Sequence, residues 1–211
     1  MSLSSFPYQL YLVISEADCA GKNFLEVAEQ AILGGVDVMQ LREKNSSTAS
    51  FLKKAQQLIE ITEKYNIPLI INDNIEVAEK VNAAGIHVGN SDASPVYLRR
   101  QPLIQNKMIG YSIEYLSQLE NEQTSVSDYL GISPVFKTST KTDTITEWGL
   151  EGVAKIRNLT DKPLVAIGNI HLRNAREVIN AGADCIAVVS AICSAPHPQK
   201  AAYELKNEIL K

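Results

Sequence analysis

The chain has 211 residues, 45% hydrophobic and 21% charged, with a formal net charge of −4. That is ordinary globular composition, able to bury about 70% of the unfolded surface, and it excludes disorder, collagen and coiled coil. No Lys/Arg block supports a nucleic-acid scaffold, and no apolar run approaches the roughly 20 residues of a membrane span, so neither nucleic acid nor membrane is expected as a partner.

Apolar runs rich in Val and Ile alternate with segments of helical periodicity along the whole sequence. The predicted strands are 8–15, 36–41, 68–72, 85–89, 107–112, 128–133, 163–168 and 184–190. The predicted helices are 23–34, 48–65, 75–83, 94–100, 114–121, 149–158, 171–181 and 198–210. A strand, a helix and two connections need about 25 residues, and eight such units fit this length. Runs such as 164–167 and 186–189 are apolar on both faces, as in parallel strands covered on both sides. Glycines at 34–35, 85 and 182 precede strands and are expected as left-handed helix caps. There is no composition break. The expected fold is a single-domain (β/α)8 TIM barrel over 1–211. An open doubly wound sheet is the second choice, weakened by the absence of GxGxxG after the first strand. The N-terminus lacks the basic and apolar regions of a signal peptide. Three cysteines with no CxxC leave an odd thiol. Both features suit a reducing cytoplasm. Homo-oligomerisation is left open.

In a (β/α)8 barrel the active site forms at the C-terminal strand ends. Strand 2 ends in Gln40-Leu41-Arg42-Glu43-Lys44, and period two puts Gln40, Arg42 and Lys44 on one face. Each alone is equally well a solvated loop residue. Together they form a row suited to a planar anionic ligand. Strands 3 and 4 end in Asn72-Asp73-Asn74 and in His87-Val88-Gly89-Asn90-Ser91-Asp92. Asp73 and Asp92 follow neighbouring strands. Either alone reads as a turn or helix cap, but the pair favours Mg²⁺ completed by waters and substrate phosphate. His87 lies inside its strand and is read as a core or interstrand histidine. Ser112 ends strand 5 without a GxSxG. The long segment 134–148 contains Lys137-Thr138-Ser139-Thr140-Lys141-Thr142, which reads either as an anion-binding lid or as a surface loop. Strands 7 and 8 end in Gly168-Asn169 and Val189-Ser190, where this fold commonly binds phosphate. The mouth therefore offers two anion sites and one Mg²⁺ site, with no Cys–His or Ser–His pair for covalent catalysis. This describes an enzyme that joins or rearranges small phosphorylated molecules.

Seven motifs in order, from Gln40-Leu41-Arg42-Glu43-Lys44 to Val189-Ser190-Ala191-Ile192, make nearly the whole chain closely resemble the thiamin phosphate synthase family. The resemblance implies a transferase that condenses hydroxymethylpyrimidine diphosphate with hydroxyethylthiazole phosphate. The products are thiamin phosphate and pyrophosphate, formed by a dissociative, Mg²⁺-assisted mechanism. It further implies that Gln40, Leu41, Arg42, Glu43, Lys44, Asn72, Ser112 and Lys141 bind the pyrimidine diphosphate. Arg42, Ser112 and Lys141 would serve catalysis, and Asp73 and Asp92 would hold the metal. Thr138, Ser139, Thr140, Gly168, Asn169, Val189 and Ser190 would bind the thiazole phosphate. Two positions depart from the family pattern: Asn74 replaces an Arg, and Asn169 replaces the second Gly of a Gly-Gly pair. Asn tolerates positive φ, so its backbone N–H should remain available to the thiazole phosphate. A related thiazole tautomerase is the nearest alternative, and it needs neither the carboxylates nor the 138–141 run. A catalytically silent ligand-binding regulator on the same barrel is the third.

Overall fold

The computed structural model describes residues 6–138 and 146–211. Among these, eight parallel strands close into one barrel in sequence order. They are β1 (Leu10–Ile14), β2 (Val38–Leu41), β3 (Leu69–Asn72), β4 (Gly85–Val88), β5 (Met108–Ile113), β6 (Tyr129–Ile132), β7 (Leu164–Ile167) and β8 (Cys185–Val188). Closure is made by β8 against β1, with Leu10 opposite Ile186 and Leu12 opposite Val188. The helices are α1 (Phe24–Leu33), α2 (Thr48–Lys64), α3 (Ile75–Lys80), α4 (Pro95–Leu98), α5 (Glu122–Val126), α6 (Gly149–Arg157), α7 (Ala175–Asn180), α8 (Ser190–Cys193) and α9 (Pro198–Leu210). No helix among the described residues is long and apolar enough to cross a membrane.

Period two explains the doubly apolar runs. Leu10, Leu12 and Ile14 of β1 join the layer between sheet and helices, whereas Tyr11 and Val13 point into the barrel. The same alternation sends Met39, Leu69, Ile71, Ile86 and Leu164 outward, and Val38, Ile70, Val165 and Cys185 inward.

Three elements differ from expectation, the first two for a local polar reason. The expected helix over 114–121 is a 3₁₀ turn, Leu116–Glu120, followed by α5. Gln118 folds back to accept the N–H groups of Glu114 and Tyr115 at 2.7 and 2.8 Å, and Asn121 then caps a fresh helix through the N–H of Thr124. The helix after β7 starts only at Ala175, because the Asn174 side chain accepts the N–H of His171 at 2.8 Å and closes a turn first. Ser190, expected at the end of strand 8, is the first residue of α8. Among the glycines expected as left-handed caps, Gly35 and Gly182 have φ of 104° and 112°. Gly34 is right-handed and Gly85 lies within β4; the left-handed residue after α3 is Asn82, with φ 51°.

Inside the barrel, Gly110 is required by a close approach. A Cβ there would lie 2.2 Å from Tyr129 Cζ and 2.4 Å from His87 Nδ1. Gly110→Ala is therefore expected to cost about 1–3 kcal/mol through overpacking. For a chain of this size that lowers the melting temperature by roughly 2–4 °C per kcal/mol. Thermal unfolding followed by circular dichroism checks this, and an unchanged midpoint would show that the ring pair can move aside.

Candidate active site

The inward positions turn polar toward the C-terminal strand ends. Val38 is followed two residues on by Gln40, Ile70 by Asn72, Gly85 by His87 and Gly110 by Ser112. Because the strands run in parallel, these four polar side chains gather at one end of the barrel. Gln40, Asn72 and Ser112 are nearly buried, at 5%, 7% and 8% exposure, yet all three line the mouth cavity.

The mouth has two adjoining lobes. The first lies over β2 to β6 and is lined by Gln40, Arg42, Lys44, Asn72, Asp73, His87, Asp92, Ser112 and Tyr129. The second is lined by Asp18, Arg42, Lys137, Thr138, Gly168, Asn169, Val189 and Ser190. Val13, Arg42, Ser133, Ile167 and Ala187 line both, so the lobes are continuous and Arg42 stands where they meet.

In the first lobe the Asp73 and Asp92 carboxyls face each other. Burial, followed by the hydrogen bond and charge of Asp92, pushes Asp73 up to about 6, while Lys44 pulls in the opposite direction. The Lys44 ammonium is 3.3 Å from the Asp73 carboxylate. Asp73 has φ 60°, which aims its side chain differently from a strand continuation. Its carboxylate also accepts from the Asn72 amide at 2.5 Å. Asp92 accepts the N–H of Gly89 at 2.8 Å, bracing its own loop. It does not cap α4, which is capped by Ser94. Asn74 caps α3 through the N–H of Val77 at 2.9 Å. The Asn that replaces an Arg is thus used by the helix.

His87, read in the sequence as a core or interstrand histidine, does bridge strands, with Nδ1 3.0 Å from the Tyr129 hydroxyl of β6 and Nε2 2.9 Å from Ser112 Oγ of β5. Its ring also forms part of the cavity wall. Tyr11 and Tyr129 join the same wall. Asp18, which lines the second lobe, carries no sequence signal, because it follows β1 on a short 3₁₀ turn with no motif around it. For His87 and Tyr129 the alternation of β4 and β6 carries the signal: both sit on the inward face, in the same register as Asn72.

Two residues of the strand 2 motif do not turn their side chains to the cavity. Leu41 is fully buried in the outer layer. Glu43 is bound by Lys54 at 2.8 Å, Ser46 at 2.7 Å and the N–H of Glu16 at 3.0 Å. Despite burial, these partners hold its carboxyl below the usual range. Period two places Gln40, Arg42 and Lys44 on one face and these two residues on the other, so only their backbone can serve a ligand. Ser139, Thr140 and Lys141 lie outside the described residues.

The second lobe is built on backbone. Gly168 has φ 123°, and a Cβ there would lie 2.6 Å from Pro134 Cβ. Asn169 follows at φ 49°. Its carbonyl accepts from the Asn174 amide at 3.1 Å, which holds the left-handed turn. If only this backbone geometry matters, Asn169→Gly should leave KM for a phosphorylated ligand of this lobe nearly unchanged. Asn169→Val should raise it, since a β-branched residue resists positive φ. Steady-state kinetics for both variants decide the matter; equal behaviour would make the Asn169 side chain the ligand.

A family model described as thiamine monophosphate synthase matches residues 10–192. The thiamine-phosphate synthase of Albidiferax ferrireducens is 46% identical over 95% of this chain and 91% of its own length. That of Chloroflexus aurantiacus is 42% identical over 94% and 91%. The solved thiamine phosphate pyrophosphorylase from Pyrococcus furiosus superposes with a TM-score of 0.85 at 32% identity, covering 97% of this chain and 96% of the other. A 3-hexulose-6-phosphate synthase, with a TM-score of 0.67 at 16% identity, shares the fold alone.

Proposed function

Because the chain belongs to the thiamine monophosphate synthase family, we propose that it makes thiamin phosphate and pyrophosphate. Its substrates are then 4-amino-2-methyl-5-hydroxymethylpyrimidine diphosphate and 4-methyl-5-(2-hydroxyethyl)thiazole phosphate. The observation that carries this reading is the facing pair Asp73 and Asp92 in one lobe, beside a second lobe built on the Gly168-Asn169 turn. A tautomerase has no use for such a pair, and a silent binding protein has no use for both lobes meeting at one Arg.

The donor set fits a divalent cation. Two facing carboxylates must share either a proton or a cation, and two protein oxygens leave the remaining positions to water and diphosphate, as Mg²⁺ prefers. Bound there, Mg²⁺ would draw charge from the departing diphosphate.

The chain's own residues supply the rest. Gln40 and Ser112 hold the pyrimidine ring, and Asn72, Lys44 and Arg42 face its diphosphate; the family resemblance adds Lys141. The bond from the pyrimidine methylene carbon to the diphosphate oxygen breaks, and its electron pair leaves with pyrophosphate. The thiazole nitrogen then donates its lone pair to the methylene cation, forming the new C–N bond. Arg42 and Lys44 neutralise the leaving group. Val13, Ile167 and Ala187, apolar and common to both lobes, keep water from the cation's path. Thr138, Gly168, Asn169, Val189 and Ser190 hold the thiazole phosphate. A reducing cytoplasm belongs to the same reading and suits the three buried, unpaired thiols.

Mixing both substrates with Mg²⁺ and the protein tests the proposal. Thiamin phosphate and pyrophosphate should appear in equal amounts. Isomerisation of a thiazole without consumption of the pyrimidine would establish the tautomerase instead.

A further inference from the structure

The floor of the first lobe carries one continuous chain of hydrogen bonds that the mechanism above does not use. Gln40 Nε2 donates to the Tyr11 hydroxyl at 2.8 Å. The Tyr11 and Tyr129 hydroxyls are 3.0 Å apart. The Tyr129 hydroxyl is 3.0 Å from His87 Nδ1, and His87 Nε2 is 2.9 Å from Ser112 Oγ. Its members come from β1, β2, β4, β5 and β6, and the space is made by glycines. A Cβ at Gly110 would strike both rings, and one at Gly131 would lie 3.0 Å from His87 Cε1. Burial raises both phenols above their ordinary range, so each keeps its single hydrogen.

Counting hydrogens gives the chain a direction. An amide nitrogen only donates. Tyr11 therefore accepts from Gln40 and passes its own hydrogen to Tyr129, which passes its hydrogen to His87 Nδ1. A neutral imidazole accepting at Nδ1 carries its hydrogen on Nε2 and donates it to Ser112 Oγ. The Ser112 hydrogen is then left for the cavity, and at the other end so is the Gln40 amide oxygen. Reversal requires the amide and every hydroxyl to turn together, because any partial turn sets two donors or two acceptors against each other in a buried site.

We propose that this chain holds the first lobe in one donor–acceptor polarity, an acceptor at Gln40 and a donor at Ser112, and thereby selects a 4-aminopyrimidine over its 4-oxo counterpart. The inference rests on the pyrimidine reading of this lobe given above. The edge of a 4-aminopyrimidine presents an N–H donor beside a bare ring nitrogen, which matches both ends. The 4-oxo ring presents a carbonyl beside a ring N–H, which is reversed at both ends. Tyr11, Tyr129 and His87 are positioning residues that act through Gln40 and Ser112.

The test measures binding of the 4-amino pyrimidine diphosphate and of its 4-oxo analogue, each with Mg²⁺, by calorimetry. The unaltered protein should prefer the amino compound by at least about a hundredfold, since a site built for one polarity leaves groups unpaired with the other. Tyr129→Phe and Tyr11→Phe each remove one oxygen and keep the ring. Either should cut that preference at least tenfold while affinity for the thiazole phosphate stays the same. Nitrogen-15 NMR of the unaltered protein should find His87 neutral with its hydrogen on Nε2. Failure of the amino compound to bind at all would overturn the pyrimidine reading and this inference together. Binding without preference, a preference that survives both variants, or a hydrogen on Nδ1 would overturn the inference and leave the function standing.

Discussion

Asp73→Asn and Asp92→Asn are each expected to lower turnover at least about a hundredfold, because each removes half of the carboxylate pair that would hold Mg²⁺ on the leaving diphosphate. Asn is the informative replacement at position 73. The backbone there has φ 60°, which Asn tolerates and Ala does not. At position 92 an amide oxygen can still accept the N–H of Gly89. Stability should move the other way. Burial and Asp92 both oppose the ionised Asp73 carboxyl, so its pKa in the fold lies above the unfolded value. Near pH 7, above both values, the ionised pair destabilises the metal-free fold. Neutralising residue 73 should therefore leave the melting temperature equal or higher without metal, and should abolish the rise expected of the unaltered protein when Mg²⁺ and diphosphate are added. Excess EDTA should reproduce the loss of turnover. Full activity in EDTA, or a variant that loses activity only because it unfolds, would remove the metal reading.

Arg42→Ala should impair both half-sites at once. Among the candidate ligands described in the structure, Arg42 alone lines both lobes. Its guanidinium can fork onto a phosphate oxygen pair while standing beside the path of the reacting methylene. Losing such a charge is expected to reduce kcat/KM by about 10²- to 10³-fold, with KM raised for both substrates. Arg42→Lys should recover little, because an ammonium lacks the planar fork. By contrast, Lys44→Ala should act on the pyrimidine substrate only, since Lys44 lines the first lobe and not the second. Steady-state kinetics varying each substrate in turn separate the two patterns. An Arg42→Ala enzyme altered toward only one substrate would mean that the junction between the lobes is not where the two molecules meet.

Local chemistry was enough to identify the barrel. Eight apolar runs separated by helical segments, with 164–167 and 186–189 apolar on both faces, call for a sheet covered on both sides, and chain length leaves room for one strand and one helix per unit. The residues of the candidate site were legible for the same reason: in a parallel barrel every C-terminal strand end faces one mouth, so polar residues at those ends converge wherever the helices pack. Even the left-handed Asn169 could be expected, because Asn is among the few residues that accept that backbone.

What the sequence could not reveal are pairings that exist only after closure. Tyr11 and Tyr129 stand 118 positions apart and meet because the barrel closes around both. Before closure each is an aromatic residue in an apolar run, and His87 is a lone histidine inside a strand. Glu43 looked like a ligand in its motif, yet Lys54 from α2 and the N–H of Glu16 claim it. Asn74 looked like a missing basic contact and proved to be the cap of α3. Periodicity is a property of one segment and survives in its sequence. Hydrogen-bond partners, burial and the pKa of Asp73 depend on which segments come to lie within a few ångströms, and only the folded barrel decides that.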